Sequence, residues 1–257
     1  MKRIVLLLSV VALGFASCSK SEEALVEVTP APNVVLLRTG NIDGAISNFT
    51  YTGNKINERT SGTKRYIYTY IGDLISRIEY INGTTHKDYK DFTYEGGNLK
   101  TYIQDVAVNN YKTKRTYTYN ENGTVTYISV SVDKTTGAET SLGSGTFTFV
   151  NGNFVKDYSV SCNQPVTGVT TNNFDYIFDN KNSPYKNILG FNKLITEIEI
   201  CSVNNFTKET LFNQYTGNSG TTRVITYEYE YNSDGYPTKR TEKDSNNVVL
   251  STMLYTY

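Results

Sequence analysis

The chain has 257 residues, and without its first 17 residues it carries 23 basic and 25 acidic side chains, a net charge of −2. This near-neutral balance excludes the basic surface that nucleic-acid binding requires. Apolar residues make up 38% and mean hydropathy is −0.41, which excludes a disordered chain and a helical membrane protein. The chain has 22 tyrosines and no tryptophan, and Thr, Asn and Gly are abundant, which favours strands joined by turns.

A secretory signal peptide is predicted over residues 1–17. Lys2 and Arg3 form a basic start, an apolar run extends from Ile4 to Phe15, and small residues follow up to Ser17. The apolar run has roughly a dozen residues, whereas a bilayer-spanning helix needs about 20. The segment therefore predicts export from the cytoplasm and not a membrane span.

Cys18 directly follows the predicted cleavage site. The letters F-A-S-C that end at Cys18 resemble the lipobox of bacterial lipoproteins, although Phe15 stands where that family usually has Leu. The resemblance implies cleavage between Ser17 and Cys18, lipidation of Cys18 and attachment to the outer membrane. An ordinary secretory signal with an incidental cysteine is the alternative.

A polar tether is predicted over residues 18–33. Ser19-Lys20-Ser21-Glu22-Glu23 resembles the export tag that carries some Gram-negative lipoproteins to the cell surface, with Ser21 interrupting the usual spacing. Pro30 and Pro32 favour extended backbone. We expect display at the cell surface, with the periplasmic face of the outer membrane as the alternative.

The rest of the chain repeats one pattern: an aromatic residue, any residue, a second aromatic, a Gly/Asn turn and an alternating strand. Clear copies start at Phe49, Tyr68, Phe92, Tyr117, Phe147 and Tyr229. The copy at Phe174 is a variant, and its return strand is expected from Asn192 after an insertion that includes residues 181–187. An irregular period of this kind is typical of one supersecondary unit repeated with variable loops.

Strand geometry explains the repeat. Residues i and i+2 of a strand share a face, so each aromatic pair places two rings on one surface of the sheet. In the turns that end at Gly123 and Gly235, glycine can adopt the positive φ of a type I turn with a G1 bulge. No segment shows a sustained helical period. The predicted fold is an all-β antiparallel meander of repeated hairpins over residues 34–257, curled into a barrel-like sheet.

Two copies of the pattern resemble a known bacterial repeat. Those at Tyr117 and Tyr229 are similar to the YD repeat of large surface and toxin-shell proteins, with Asn120 and Asn232 where that family has Asp. The whole chain looks more like smaller lipoproteins built of such hairpins, such as those with the domain of unknown function called DUF4595. That resemblance covers about residues 45–257 and implies a porin-like barrel or curled sheet.

Cys162 and Cys201 are predicted to remain free thiols. The export route permits a disulfide, but in a meander the strand at Phe174–Phe178 would lie between the two cysteines. Two strand spacings are about 9.6 Å, beyond the roughly 7 Å between Cα atoms that a disulfide allows. A bridge would need the sheet to fold back.

The sequence predicts no catalytic, cofactor-binding or metal-binding residues. His86 is the single histidine and is expected in a hairpin tip, so no His-based triad or metal cluster can be assembled. Glu197 and Glu199 would share one face of a strand, as would Glu228 and Glu230, and a glycosidase needs two carboxyl groups. Alternating Glu among apolar residues is more typical of the solvent face of a strand.

Two further features leave alternatives open. The insertion at residues 181–187 is interpreted as a corner or plug of the sheet, although long loops often carry function.

Tyr255 and Tyr257 resemble the terminal strand of an outer-membrane barrel, but charged residues interrupt any apolar band; these are Arg59, Lys64, Arg65, Arg77 and Glu79.

The sequence therefore predicts a non-enzymatic, lipid-anchored protein of the outer membrane or cell surface, structural or binding in role. The alternatives are a glycan- or peptide-binding module of an uptake system, in which exposed tyrosines stack on the ligand, and a lipoprotein glycosidase. No cofactor is expected. The expected partners are the membrane, through the anchor at Cys18, and a possible glycan or peptide ligand.

Overall fold

A computed structural model describes residues 34–83, 86–162 and 168–257. In these ranges the chain forms a closed barrel of sixteen antiparallel strands, which confirms the predicted all-β meander and its curled, barrel-like form. The predicted signal peptide, Cys18 and the tether lie outside the described residues.

The strands follow one another around the barrel in sequence order, and the last strand pairs with the first. Thr39 of β1 is in register with Thr256 of β16, and their hydroxyl oxygens are 2.7 Å apart. Every other neighbouring pair is consecutive in sequence. The strands are β1 (Thr39–Ile42), β2 (Ala45–Thr52), β3 (Lys55–Ser61), β4 (Lys64–Ile71), β5 (Leu74–Asn82), β6 (His86–Glu95), β7 (Asn98–Asp105), β8 (Tyr111–Tyr119), β9 (Thr124–Asp133), β10 (Glu139–Val150), β11 (Asn153–Cys162), β12 (Val169–Phe178), β13 (Phe206–Tyr215), β14 (Thr221–Tyr231), β15 (Pro237–Lys243) and β16 (Val249–Thr256).

The repeat turns have the predicted geometry. The backbone N–H of Gly123 donates to the carbonyl oxygen of Asn120 at 3.0 Å, and that of Asn120 donates to the carbonyl of Thr124 at 2.9 Å. Gly123 has φ +79°, and Gly235 in the equivalent turn has φ +76°. Each glycine thus occupies the left-handed position of a type I turn with a G1 bulge.

The two faces of the barrel wall differ in chemistry. Aromatic and aliphatic side chains of the repeats point inward and are buried, as in Phe49, Phe92, Tyr117 and Tyr255. The outer face carries Thr and charged side chains joined by ion pairs between strands. These are Glu58–Arg65, Arg77–Asp91, Glu79–Lys87, Asp105–Lys112, Lys114–Glu139, Lys156–Asp175, Glu228–Lys243 and Glu230–Lys239.

The second tyrosine of several repeats bonds to the neighbouring hairpin. The hydroxyl of Tyr94 donates to the carbonyl oxygen of Ile75 at 2.7 Å, and that of Tyr70 accepts from the backbone N–H of Ile56 at 3.2 Å. Tyr257 donates likewise to Pro237 at 2.8 Å. Because each of these partners lies beside a β-bulge, the hydroxyl satisfies backbone groups that the irregular ladder leaves free.

Residues 179–205, between β12 and β13, fold into one end of the barrel, and we call them the plug. The plug hydrogen-bonds to hairpin turns through the N–H groups of Leu189, Asn182 and Val203, whose acceptors are the carbonyls of Asn54, Gly235 and Gly152. Its apolar side chains are buried against the inner wall; these include Tyr185, Ile188, Phe191, Leu194, Ile195 and Cys201. The interpretation of residues 181–187 as part of a plug is therefore confirmed.

The predicted return strand from Asn192 is wrong. This segment forms a 3₁₀ turn at Phe191–Lys193 and one helical turn, α1, at Ile198–Cys201, and the chain returns to the sheet in β13. Leu194, Ile195 and Cys201 are buried within the barrel, where packing and not ladder hydrogen bonding determines the backbone. No helix in the described ranges is long and apolar enough to cross a membrane.

Candidate ligand cavity inside the barrel

A cavity of about 290 Å³ lies inside the barrel above the plug. Tyrosines from β4 and β5 form one wall, and α1 with the residue before it forms the floor. The polar lining comes from β3, β6 and β7. The lining includes Arg59, Tyr66, Tyr68, Ile78, Tyr80, Asp88, Lys90, Gln104, Leu194, Glu197 and Ile200.

The cavity extends from the plug toward the opposite end of the barrel, which we call the open end. Tyr70 lies beside the plug and donates to the carbonyl oxygen of Leu189 at 3.0 Å. Tyr66 and Tyr80, in register with each other, lie further from the plugged end of their strands, and Asp88 is in register with Tyr80. The cavity therefore occupies the middle and open half of the barrel interior.

Among the cationic side chains that line the cavity, Lys90 forms an ion pair, whereas Arg59 forms none in the described ranges. Its guanidinium lies over the ring of Tyr66, with the Cζ atom 3.9 Å from the ring centroid. Its Nε is buried and has no hydrogen-bond partner in the described ranges, where Arg59 also forms no ion pair. Arg115 and Arg240 have the same unpartnered Nε, so three arginines in the described part of the barrel share this feature.

Two ion pairs join α1 and its flanking residue to the barrel wall. Lys90 of β6 pairs with Glu197, and Arg240 of β15 pairs with Glu199 at 2.6 Å between Nη1 and Oε1. The expectation that both glutamates share one face of a strand is wrong, because Glu197 precedes α1 and Glu199 belongs to it. The pairs hold the plug to two distant parts of the wall.

The remaining polar lining offers hydrogen-bond donors and acceptors. Tyr102 donates to Oε1 of Gln104 at 3.0 Å, and the Oδ1 of Asp88 accepts from the backbone N–H of Ala107 at 2.8 Å. Burial raises the pKa of Tyr68 to about 12, and the charge of Arg59 opposes that rise. The Tyr68 hydroxyl thus stays protonated at neutral pH and can donate to a ligand.

The other residues considered from the sequence lie outside the cavity. Glu228 and Glu230 face outward and pair with lysines of β15. Cys162 and Cys201 are free thiols, but Cys201 lies in the plug and not on the expected strand. The predicted lipidation site, Cys18, and the predicted cleavage site at Ser17 lie outside the residues that the structure describes. The same is true of the side chain of His86. The described residues contain no group of three or more His, Cys, Asp or Glu side chains that could hold a metal.

Sequence reasoning missed Arg59 as a site residue. The sequence pattern places Arg59 with Arg65 and Arg77 among the charges that interrupt an apolar band, yet Arg59 faces inward whereas the other two pair on the outer face. The bulge after Ile56 shifts the alternation of β3. Counting from the turn with one bulged residue would have placed Arg59 inside.

Comparison with one solved structure supports the fold, and a second aligns with a lower TM-score. A porin-like protein from Bacteroides vulgatus aligns with a TM-score of 0.58 over 86% of this chain and 98% of its own, at 11% identity. A porin-like protein from Bacteroides uniformis aligns with a TM-score of 0.47 over 89% of this chain and 99% of its own, at 12% identity. No protein-family model matches the sequence. No curated protein matches it significantly.

Proposed function

We propose that this protein is a lipid-anchored barrel of the outer membrane, displayed at the cell surface. The outer face of its wall is exposed to water, and its interior binds a small ligand. The observation that carries this proposal is the chemistry of the two faces of the wall. A membrane-embedded barrel has an apolar outer band about 25 Å tall and a polar interior. Here the outer face carries ion pairs along its strands, and the buried aromatic residues of the repeats are inside.

The similarity to porin-like proteins is a similarity of backbone fold alone. The relative from Bacteroides vulgatus shares the barrel fold. Arg77 and Asp91 are a directly paired couple on the outer face, and their ion pair would be costly in hydrocarbon. Met253 and Tyr255 of the last strand are buried inside the barrel and so do not form a lipid-facing band. We therefore propose attachment through Cys18 and not insertion of the wall.

The position at which the chain enters the barrel limits the distance between the barrel and a lipid on Cys18. Asn187 of the plug donates to the carbonyl oxygen of Val35 at 3.0 Å, so the described chain begins at the plugged end. Residues 18–33 can span at most roughly 55 Å when fully extended. A lipid on Cys18 would therefore keep the plugged end within roughly 55 Å of the membrane surface.

The anchor is tested by labelling growing cells with an alkyne fatty acid. Wild type and Cys162→Ala should incorporate the label equally, and Cys18→Ala should incorporate none. Equal labelling of Cys18→Ala would overturn the lipid anchor. Protease treatment of intact cells then tests display, because surface protein is digested without lysis and protein on the periplasmic face is protected.

Ligand binding is tested on a glycan array with the full-length protein in a zwitterionic detergent. Tyr68 lines the cavity, whereas Tyr158 lies on the outer face and is 43% exposed. We expect Tyr68→Ala to abolish the hits and Tyr158→Ala to retain them. Hits that survive Tyr68→Ala would remove the cavity from the proposal.

We propose no catalytic role for the carboxyl pairs considered from the sequence. Glu197 and Glu199 pair with Lys90 and Arg240, which gives both side chains a positioning role in the plug. Hydrolysis assays on the same glycans are the check. A hydrolytic activity lost in Glu197→Gln would restore the glycosidase hypothesis.

A further inference from the structure

We infer that the barrel cavity recognises a ligand with one carboxylate on a single hydroxylated ring, the chemistry of an acidic monosaccharide. This inference rests on the proposed ligand-binding function and names the class of ligand. A cavity of about 290 Å³ is just below the usual range of ligand sites, roughly 300–1,000 Å³, and its volume matches a single ring.

The carboxylate is assigned from the charges of the lining. The lining carries two cations and two carboxylates, of which Lys90 and Glu197 pair with each other and Asp88 accepts a hydrogen bond from the backbone N–H of Ala107. Arg59 lines the same cavity and has no acidic partner in the described ranges. A ligand carboxylate can accept two parallel hydrogen bonds from a guanidinium, and this supplies what Arg59 lacks.

The fixed orientation of Arg59 favours this recognition. Stacking over Tyr66 holds the guanidinium plane, and Tyr66 in turn contacts Tyr80, with ring centroids 5.0 Å apart. A guanidinium that is already oriented loses less side-chain entropy when it binds a carboxylate. The site is therefore preorganised for a planar anionic group.

The ring and its hydroxyl groups are assigned from the rest of the lining. Tyr68 and Tyr80 present aromatic surface, against which the apolar face of a sugar ring packs. Gln104 supplies an amide group for ring hydroxyls on the side toward the open end. A carboxylate-bearing ring would thus contact Arg59 at one edge and the amide of Gln104 at the other.

The test is calorimetric titration of the full-length protein, in a zwitterionic detergent, with three probes: glucuronate, glucose and cyclohexanecarboxylate. We expect glucuronate to bind at least about tenfold more tightly than glucose, because hydrogen bonds to charged groups are the strong ones. We expect cyclohexanecarboxylate to be weaker than glucuronate. Equal binding of these two acids would overturn the assignment of the hydroxylated ring.

Variants at two arginines of neighbouring strands separate recognition from folding. Arg59→Gln should lose about 10–100-fold in glucuronate affinity, whereas Arg65→Gln, on the outer face and paired with Glu58, should bind as wild type does. Arg59→Lys should retain part of the affinity, and it replaces Arg59→Gln if that variant fails to fold. Thermal melts establish which variants are folded.

The outcomes distinguish this inference from the proposed function. Glucose bound as tightly as glucuronate, with no effect of Arg59→Gln, would overturn carboxylate recognition and leave the cavity as a ligand site. Binding of none of the three probes would overturn the inference, while fatty-acid labelling at Cys18 would still decide the anchor independently.

Discussion

The inner and outer faces of the barrel wall come from the same strands but have different roles. In β8, Tyr117 points inward and is fully buried, and Thr118, the next residue, points outward and is exposed. Tyr117 contacts the rings of Tyr127 and Phe147, at centroid distances of 6.1 and 6.2 Å. Alternation alone thus divides the wall into an aromatic core and an outer face of Thr and charged side chains. The difference indicates that the core of this barrel is its interior.

The largest expected effect is the loss of an inward ring. Tyr117→Ala should lower the free energy of unfolding by about 3–5 kcal/mol, because it removes a fully buried aromatic side chain. Thr118→Ala should cost under about 1 kcal/mol. Urea melts measure both values. Equal losses would show that the two faces are not distinct.

A smaller effect is expected when an inward ion pair is broken. Glu199→Ala should cost about 2–4 kcal/mol, because it leaves Arg240, which is 8% exposed, without its carboxylate. Asp91→Ala breaks the outward pair with Arg77 and should cost under about 1 kcal/mol. The same melts make the comparison. A larger loss for Asp91→Ala would reverse the assignment of inside and outside.

An inward acid gives the barrel a pH dependence. Burial raises the pKa of Asp157 to about 6 from its usual 3.8, although the nearby charge of Arg115 opposes the rise. Between about pH 4 and pH 6 the folded state retains a proton that the unfolded state releases, so this group lowers stability as pH rises, by about 2–3 kcal/mol in total. Asp157→Asn should remove that loss and be more stable than wild type at pH 7. Urea melts of both proteins across this pH range measure the free energy of unfolding. If that free energy changes with pH in the same way for wild type and Asp157→Asn, the prediction is contradicted.

The smallest effect is expected in the turns, where neither face is involved. Gly235→Ala should cost about 1–2 kcal/mol, because Gly235 has φ +76° and a β-carbon opposes that conformation. A steric clash is not the cause of this loss, because an added β-carbon would be 3.7 Å from its nearest neighbours. Asp234→Ala, one residue earlier, should cost under about 0.5 kcal/mol. A reversed order would exclude the G1 bulge as the determinant of the turn.

The sequence predicts the wall well because alternation and turn chemistry are local. The rings at Phe49 and Phe92 and the glycines at 123 and 235 occupy the inner face and the left-handed turn positions that their patterns indicate. Tyr119 is the exception within the repeats, since it lies at the plugged end and is 41% exposed. Its truncation should therefore cost less than that of Tyr117.

The plug and the cavity could not be predicted in the same way. Residues 192–198 have a strand-like pattern, but their packing depends on a barrel interior that forms from strands distant in sequence. The inward direction of Arg59 depends on one bulge in β3. The hydroxyls of Tyr70 and Tyr94 bond to preceding hairpins, which explains why these positions hold Tyr and not Phe. Each of these features requires contacts that no single repeat contains.

The central claim, a water-exposed outer wall around an aromatic interior, is tested most directly by thiol accessibility in membranes. Ile128 is mid-strand on the outer face and 60% exposed, and its neighbour Ser129 points inward and is 8% exposed. Single cysteines are placed at these positions in a Cys162→Ser background. Cys201 stays, because burial raises the pKa of its thiol to about 12 and makes it unreactive.

Opened envelope membranes are treated with a membrane-impermeant maleimide. The account predicts that Ile128→Cys reacts at the rate of an exposed thiol and that Ser129→Cys reacts at least about tenfold more slowly. If Ile128→Cys is instead protected from this reagent and modified only by a lipid-soluble maleimide, the wall lies in the bilayer and the account is contradicted.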